Sequence, residues 1–325
     1  MAIFMTILQR LLYAALLLIA VLVLNFTMMN LAPGDIADTI AASMGGADAE
    51  MMEQIRAEYG LDQPFPVQLL AYVSRVLSFD LGYSYFYNAP VTTLIFEKLP
   101  ATLLLVLVAQ SLALVVGVLL GVFSARHPNG IANYFVTLIA LFGYAAPVFW
   151  TGILLLIAFS LKIPLFPVAG MSDITVDGNF FVKAVDVAHH MVLPVITLGS
   201  IFLALYSRLS RASMLEVLGS DYVRTAKAKG LSQREIVLKH ALKNALPPVV
   251  TLAGLQFSAV ISGAVLVETV FSWPGLGQLA LTSILARDTP TILGILFFSA
   301  LVVIIGNLLT DLVLRAIDPR VRGRA

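Results

Sequence analysis

Gly219-Ser220-Asp221-Tyr222-Val223-Arg224-Thr225-Ala226-Lys227-Ala228-Lys229-Gly230, continued by Leu231-Ser232-Gln233-Arg234-Glu235-Ile236-Val237, is the stretch on which the reading of this chain turns. Ser220 stands where a helix N-cap belongs, and Asp221 falls in the first turn, where the helix dipole favours an acid. Gly230 suits the left-handed position just past a helix end. Ser232 and Glu235 have the S-x-x-E spacing of a capping box, with Leu231 and Ile236 at the flanking positions of a hydrophobic staple. One helix therefore stops at Gly230 and a second begins at once. A loop that only joins two elements needs no such stiffness, whereas a docking surface does.

The elbow lies between apolar runs. The 325 residues are 59% hydrophobic and 12% charged, against about 25% charged in a soluble domain. Mean hydropathy is +0.94, which makes lipid the solvent for much of the surface. A helix crosses a bilayer core with about 20 mostly apolar residues. Runs free of Asp, Glu, Lys and Arg are Leu11–Gly34, Leu99–Ala125, His127–Leu161, His189–Ser207, Asn244–Val267 and Thr289–Thr310. The first is too long for the core of a secretory signal and ends in Asn30-Leu31-Ala32-Pro33-Gly34, so it reads as an uncleaved span. The fourth is short and contains Pro194, but dropping it would leave an odd count and separate the termini. With six spans and the N-terminus inside, fourteen of the twenty basic residues fall on inner segments, eight of them from Arg208 to Lys243 around the elbow. Basic excess on the inner side is the expected topology signal.

Pro33 to Lys98 is too long for a turn and carries nine acidic residues. The amphipathic stretch Glu50 to Tyr59 makes it a small, partly helical outer subdomain, and Ile163 to Ala188 forms a second outer loop. Gly254, Ser258 and Ser262 recur every four residues in the fifth span and offer a smooth face for helix packing. Gly117 and Gly121 form a G-x-x-x-G in the second, either by chance or for packing. Net charge of +1 argues against nucleic acid as a partner, and the lack of cysteine excludes disulfides, zinc–thiolate sites and cysteine nucleophiles.

The elbow resembles the E-A-A-x-x-x-G loop of type I ABC importer permeases through Arg224-Thr225-Ala226, three residues and Gly230. It departs from the general motif at Arg224, Thr225, His240 and Lys243. Those departures are similar to the branch handling dipeptides, oligopeptides and nickel complexes, which the chain resembles along its whole length. Matching elements are Ala32-Pro33-Gly34-Asp35, Gly60-Leu61-Asp62-Gln63-Pro64, Asp80-Leu81-Gly82 with Ser84, and Leu99-Pro100-Ala101-Thr102. Pro147 with Phe149-Trp150, Arg211-Ala212-Ser213-Met214, Glu268 to Phe271, Trp273-Pro274-Gly275-Leu276-Gly277 and Asp318-Pro319-Arg320 complete the set. Phe79 departs from it, standing where the branch usually has glycine.

The resemblance implies an all-α integral membrane protein of type I ABC importer permease fold, with six transmembrane helices and an extracytoplasmic subdomain between the first two. Along the chain this gives an N-terminal helix over 1–32, the subdomain over 33–98, a permease core over 99–314 with its coupling loop at 208–243, and a cytoplasmic tail over 315–325. Asp221, Tyr222, Arg224, Thr225, Ala226, Lys227 and Gly230 would couple the chain to separate cytoplasmic ATPases. Its partners would be a second similar permease, two ATPase subunits, an extracytoplasmic binding protein and membrane lipid. ATP and magnesium would sit on the ATPases, with no cofactor here. Both termini would be cytoplasmic, in a bacterial inner membrane. Di- and oligopeptides are the expected solutes; nickel complexes or another small solute are the alternative.

No G-x-x-x-x-G-K-S/T, H-E-x-x-H or G-x-S-x-G pattern occurs, so neither ATP hydrolysis nor an intramembrane enzyme is expected. An ion-driven secondary transporter would call for inverted repeats and mid-span charges, and neither is visible. Glu268 and Asp311 fall near span ends, which favours solvated or capping roles over proton relay. His189-His190, two adjacent histidines without nearby acids, make a poor metal site. Pro147 and Pro194 either kink spans or start helices. Trp273-Pro274-Gly275 reads equally as a contact for the binding protein or as an interfacial anchor and tight turn.

Overall fold

A computed structural model describes residues 2–31, 37, 49–58, 60–126, 130, 134, 138, 143 and 146–317. Ala32-Pro33-Gly34-Asp35, most of the first half of the third apolar run, and Asp318-Pro319-Arg320 lie outside the described residues. In chain order the helices are α1 (Ala2–Leu31), α2 (Ala49–Glu58), α3 (Phe65–Leu77), α4 (Val91–Arg126), α5 (Val148–Leu156), α6 (Phe180–Leu218) and α7 (Asp221–Ala228). They continue as α8 (Gln233–Leu255), α9 (Phe257–Val270), α10 (Leu276–Leu285) and α11 (Thr289–Ile317). A two-stranded antiparallel hairpin, β1 (Tyr83–Ser84) and β2 (Ala89–Pro90), precedes α4.

Each apolar run meets helix, but helix ends follow caps rather than the limits of the apolar run. Among the described residues α4, α6 and Thr289–Thr310 of α11 are long and apolar enough to cross a bilayer unaided. Leu12–Met28 within α1, and Val148–Lys162, which adds the π turn Ile157–Lys162 to α5, are shorter apolar helices. The short fourth run is the centre of α6, the longest of the described helices. α6 begins nine residues earlier, where the Asn179 side chain accepts from the Val182 amide, and carries Pro194 in its interior. Pro147 instead sits at the N-cap of α5. The fifth run is not one rod. α8 and α9 meet at Gln256 with a bend of 52°.

The chain forms two compact units. The first takes residues up to Pro100 together with Gly275–Ile304. Its core gathers Leu22, Val76, Leu81, Val91, Ile95, Leu279, Ile295 and Phe298. A buried polar knot pins the hairpin to the start of α11. Ser84 Oγ and Thr291 Oγ each donate to Asp288 Oδ2 at 2.6 Å, and Asp288 itself is 2% exposed. Of the amphipathic stretch expected at Glu50 to Tyr59, Glu50 to Glu58 falls in α2 and Tyr59 lies outside the described residues, while α3 and the hairpin were not legible beforehand.

The second unit takes Ala101–Pro274 and Ile305–Arg324. Helices in lipid gain little from burying apolar surface and rely on close approach through small residues. Gly117 and Gly121 do this on α4: a Cβ added at Gly117 would lie 2.9 Å from Tyr206 Cβ, and one at Gly121 2.6 Å from Ser210 Cβ. The G-x-x-x-G is therefore a packing face against α6.

Candidate coupling site

The elbow forms from the local chemistry of its own residues. α6 ends at Leu218 and α7 runs from Asp221 to Ala228. Its exit is a Schellman turn: the Gly230 amide donates to Lys227 O at 3.0 Å and the Leu231 amide to Ala226 O at 3.3 Å. Gly230 has φ +76°, the left-handed region a side chain resists. α8 starts three residues later with the capping box complete: the Glu235 amide donates to Ser232 Oγ at 3.3 Å and the Ser232 amide to Glu235 Oε2 at 3.4 Å. Val223, Ala226 and Ile236 are buried together, with Leu231, Val217 and Leu218 packed against them. The staple expected from Leu231 and Ile236 is thus part of the elbow's own small core.

The N-cap role expected of Ser220 is not filled by its side chain. Ser220 occupies the N-cap position, but its hydroxyl turns back to donate to Val217 O at 2.6 Å instead of capping α7. The hydroxyl thereby satisfies one of the last carbonyls of α6, so Ser220 closes the earlier helix.

Burial sorts the seven candidate coupling residues. Asp221, Tyr222, Arg224, Thr225, Lys227 and Gly230 are exposed, while Ala226 faces inward. Ala226 is accordingly a packing residue that shapes the elbow from beneath. Arg224 and Asp221 pair at 3.4 Å, both largely exposed, a contact of little energetic weight. Tyr222 is held from the other limb: Asn244 Nδ2 donates to its hydroxyl at 3.1 Å and also to His240 O at 2.8 Å. Sequence reasoning missed Asn244, which lies 22 residues from Tyr222 and carries no local motif. Lys239 Nζ approaches Glu235 Oε1 at 3.2 Å. The hydrogen bond from Lys239, then those from Ser232, hold the Glu235 carboxyl below its ordinary pKa.

Beneath the elbow α8 widens to a π turn over Ile236–Ala241 and then returns to α geometry. Its Val237 and Ala241, with Ala245, pack on Met214 of α6 and Ala125 at the end of α4. The elbow is therefore rooted in three long helices of its unit.

The candidate packing residues separate. Gly254 is buried, and a Cβ there would collide with the Thr310 side chain of α11. Ser258 is partly buried and Ser262 is exposed. The continuous stripe expected from the spacing is broken, because the bend at Gln256 falls between Gly254 and Ser258 and turns the two segments apart.

Glu268 is not solvated. It is fully buried and accepts a 2.6 Å hydrogen bond from Thr102 Oγ1. Trp273 is likewise interior at 0% exposure, its indole donating to Ala101 O at 2.9 Å, so neither an exposed contact nor an interfacial anchor describes it. His190 Nδ1 lies 3.2 Å from Asp186 Oδ1, so an acid does stand beside the histidine pair. His189 Nε2 bonds Leu165 O at 2.8 Å instead. Among the described residues no group of three or more His, Asp or Glu gathers to hold a metal. Asp311 falls within α11.

The elbow is thus a capped, self-packed helical turn mounted on helices long and apolar enough to cross a bilayer. Residues 117–323 match the family described as the binding-protein-dependent transport system inner membrane component, and residues 3–106 match its N-terminal companion. This chain belongs to that family: it is a permease component of ABC importers that work with ATPase and binding-protein partners, and not an enzyme. It is 38% identical over 317 residues to the oligopeptide transport system permease protein AppB of Bacillus subtilis (strain 168), covering 97% of this chain and 98% of that one. It is 39% identical over 327 residues to the dipeptide transport system permease protein DppB of Escherichia coli (strain K12), covering 94% and 95%. A structure of the MetNI methionine ABC transporter in inward-facing conformations matches with a TM-score of 0.55 at 18% identity, over 69% of this chain and 96% of that one. That likeness fixes the fold as the type I importer permease.

Proposed function

We propose that this chain is one of two permease subunits enclosing the path of an ATP-driven importer for di- and oligopeptides. The observation that carries the reading is near-complete alignment, at 38–39% identity, with permeases named for oligopeptide and dipeptide transport. A second similar permease completes the path, and two ATPases dock on the inner elbows. ATP and magnesium are held by those ATPases. An extracytoplasmic binding protein delivers solute to the outer subdomain, both termini face the cytoplasm of a bacterial inner membrane, and nucleic acid has no part.

The exposed face of α7, with Tyr222, Arg224, Thr225 and Lys227, is the surface offered to the ATPase. Closure of the ATPase pair on ATP draws the elbows together, and the spans rock between inward- and outward-open states. Reconstitution of the four membrane and ATPase subunits in vesicles, with the binding protein and labelled di- and tripeptides, tests this directly. ATP-dependent accumulation is expected. Accumulation that survives ATP depletion under an ion gradient, or none for any peptide that the binding protein retains, refutes it.

A further inference from the structure

α3 leaves by the same turn as α7, but with a different residue at its tightest point. The Phe79 amide donates to Val76 O and the Asp80 amide to Arg75 O, each at 3.0 Å, and Phe79 has φ +60°. Gly60 and Gly230 fill the equivalent place after α2 and α7 with the residue that the geometry favours. A bulky residue in left-handed backbone is strained, and such strain persists where the surroundings or a function demand it. Burial does not repay it, because Phe79 is 58% exposed.

Phe79 lines an open cleft with Thr92, Thr93, Phe96 and Glu97. The last four belong to the first two turns of α4, one of the membrane-crossing helices. Phe96 is 56% exposed, yet its ring is fixed edge-on to Phe298 at 5.3 Å. Glu97 is exposed and enters none of the ion pairs among the described residues. Glu97 stands two residues before the apolar run that begins at Leu99, so its carboxylate is placed where a cation at the membrane surface can meet it. Two aromatic faces beside it add affinity for an ammonium group and for the apolar stem that carries it.

We infer that this cleft binds the ammonium headgroup of a zwitterionic phospholipid, phosphatidylethanolamine being the probe of choice. Glu97 takes the ammonium, the two phenyl rings take its faces and stem, and the strained backbone at Phe79 is kept to present a ring at headgroup level. The site is independent of which solute the importer carries.

The test uses the chain purified with its partner subunits in nanodiscs of phosphatidylglycerol, to which phosphatidylethanolamine is added and bound lipid is counted by native mass spectrometry. A retained ethanolamine lipid is expected, held roughly tenfold more weakly after Glu97→Gln and after Phe79→Gly. In ethanolamine-free discs Phe79→Gly should raise the thermal midpoint by roughly 1–3 °C, since left-handed strain is removed from a residue that is mostly exposed. Opposite signs on stability and lipid retention distinguish a binding residue from a packing one. Equal retention of phosphatidylglycerol, insensitivity to Glu97→Gln, or a lowered midpoint in Phe79→Gly would each overturn the assignment. So would shielding of the cleft by added binding protein in the absence of ethanolamine lipid.

Discussion

Gly230→Ala isolates a single physical quantity. An added Cβ would meet no atom within 4 Å, so the substitution creates no clash and removes no contact. What remains is the penalty for a side chain at φ +76°, about 1 kcal/mol. The penalty falls on the turn closed by the Gly230 and Leu231 amides. A cost of about 1 kcal/mol shifts the closed-to-open equilibrium of that turn roughly fivefold. Hydrogen exchange at the Leu231 amide should therefore accelerate roughly fivefold while amides in α6 keep their rates. If the elbow is the transmitting joint, peptide imported per ATP hydrolysed should fall in parallel, with ATP hydrolysis itself less affected. Unchanged exchange at Leu231 would refute the conformational argument. Faster exchange with an unchanged transport ratio would refute the coupling argument.

Three further outcomes follow from the same geometry. Gly254→Ala should destabilise the protein by about 1–3 kcal/mol through collision with Thr310. Thr310→Ala in the same chain should recover most of that loss, and additive thermal shifts in the double mutant would argue against the contact. Thr102→Val removes a buried donor to Glu268 and should cost about 1–3 kcal/mol in thermal or denaturant unfolding. Glu235 has its folded pKa below its unfolded value of about 4.3. Its contribution is therefore complete above that value and fades as pH falls through the folded pKa, and Glu235→Gln should abolish this acid loosening in Ser232 amide exchange.

The elbow was legible because caps and left-handed exits are written in neighbouring residues: Ser232 with Glu235, and Gly230 alone. The spans were legible as apolar runs, but their ends were not. α6 runs past its run into Lys183 and Asp186 because a helix tolerates charge once it clears the lipid, and the Asn179 cap decides where it starts. The bend at Gln256 has no proline or glycine at its apex to mark it. Glu268 and Trp273 misled for a related reason: position along a span gives depth but not direction, and both side chains face protein. Asn244 and Tyr222 meet only after the elbow folds, so no local pattern announces them.

The geometry of α8 makes one last expectation. From Gln233 to Leu255 it is helix throughout, a rod of roughly 35 Å that begins in the elbow and ends at the 52° bend. Ile236, Val237 and Ala241 of its π turn are all buried, so the root of the rod is clamped; Pro247 and Pro248 each remove a ladder hydrogen bond further along, but the axis turns sharply only at Gln256. Under the proposed mechanism, a Gly-Gly insertion after Glu235 therefore severs the drive, leaving ATP hydrolysis with little import. The same insertion after Gln256 falls where the axis already turns, beyond the rod, and should lower import less while leaving the elbow's exchange rates intact. If the two insertions abolish import equally while both proteins assemble with their partners, α8 is not the element that carries the stroke. If the first leaves import at the level of the unmodified chain, the elbow does not drive the spans at all.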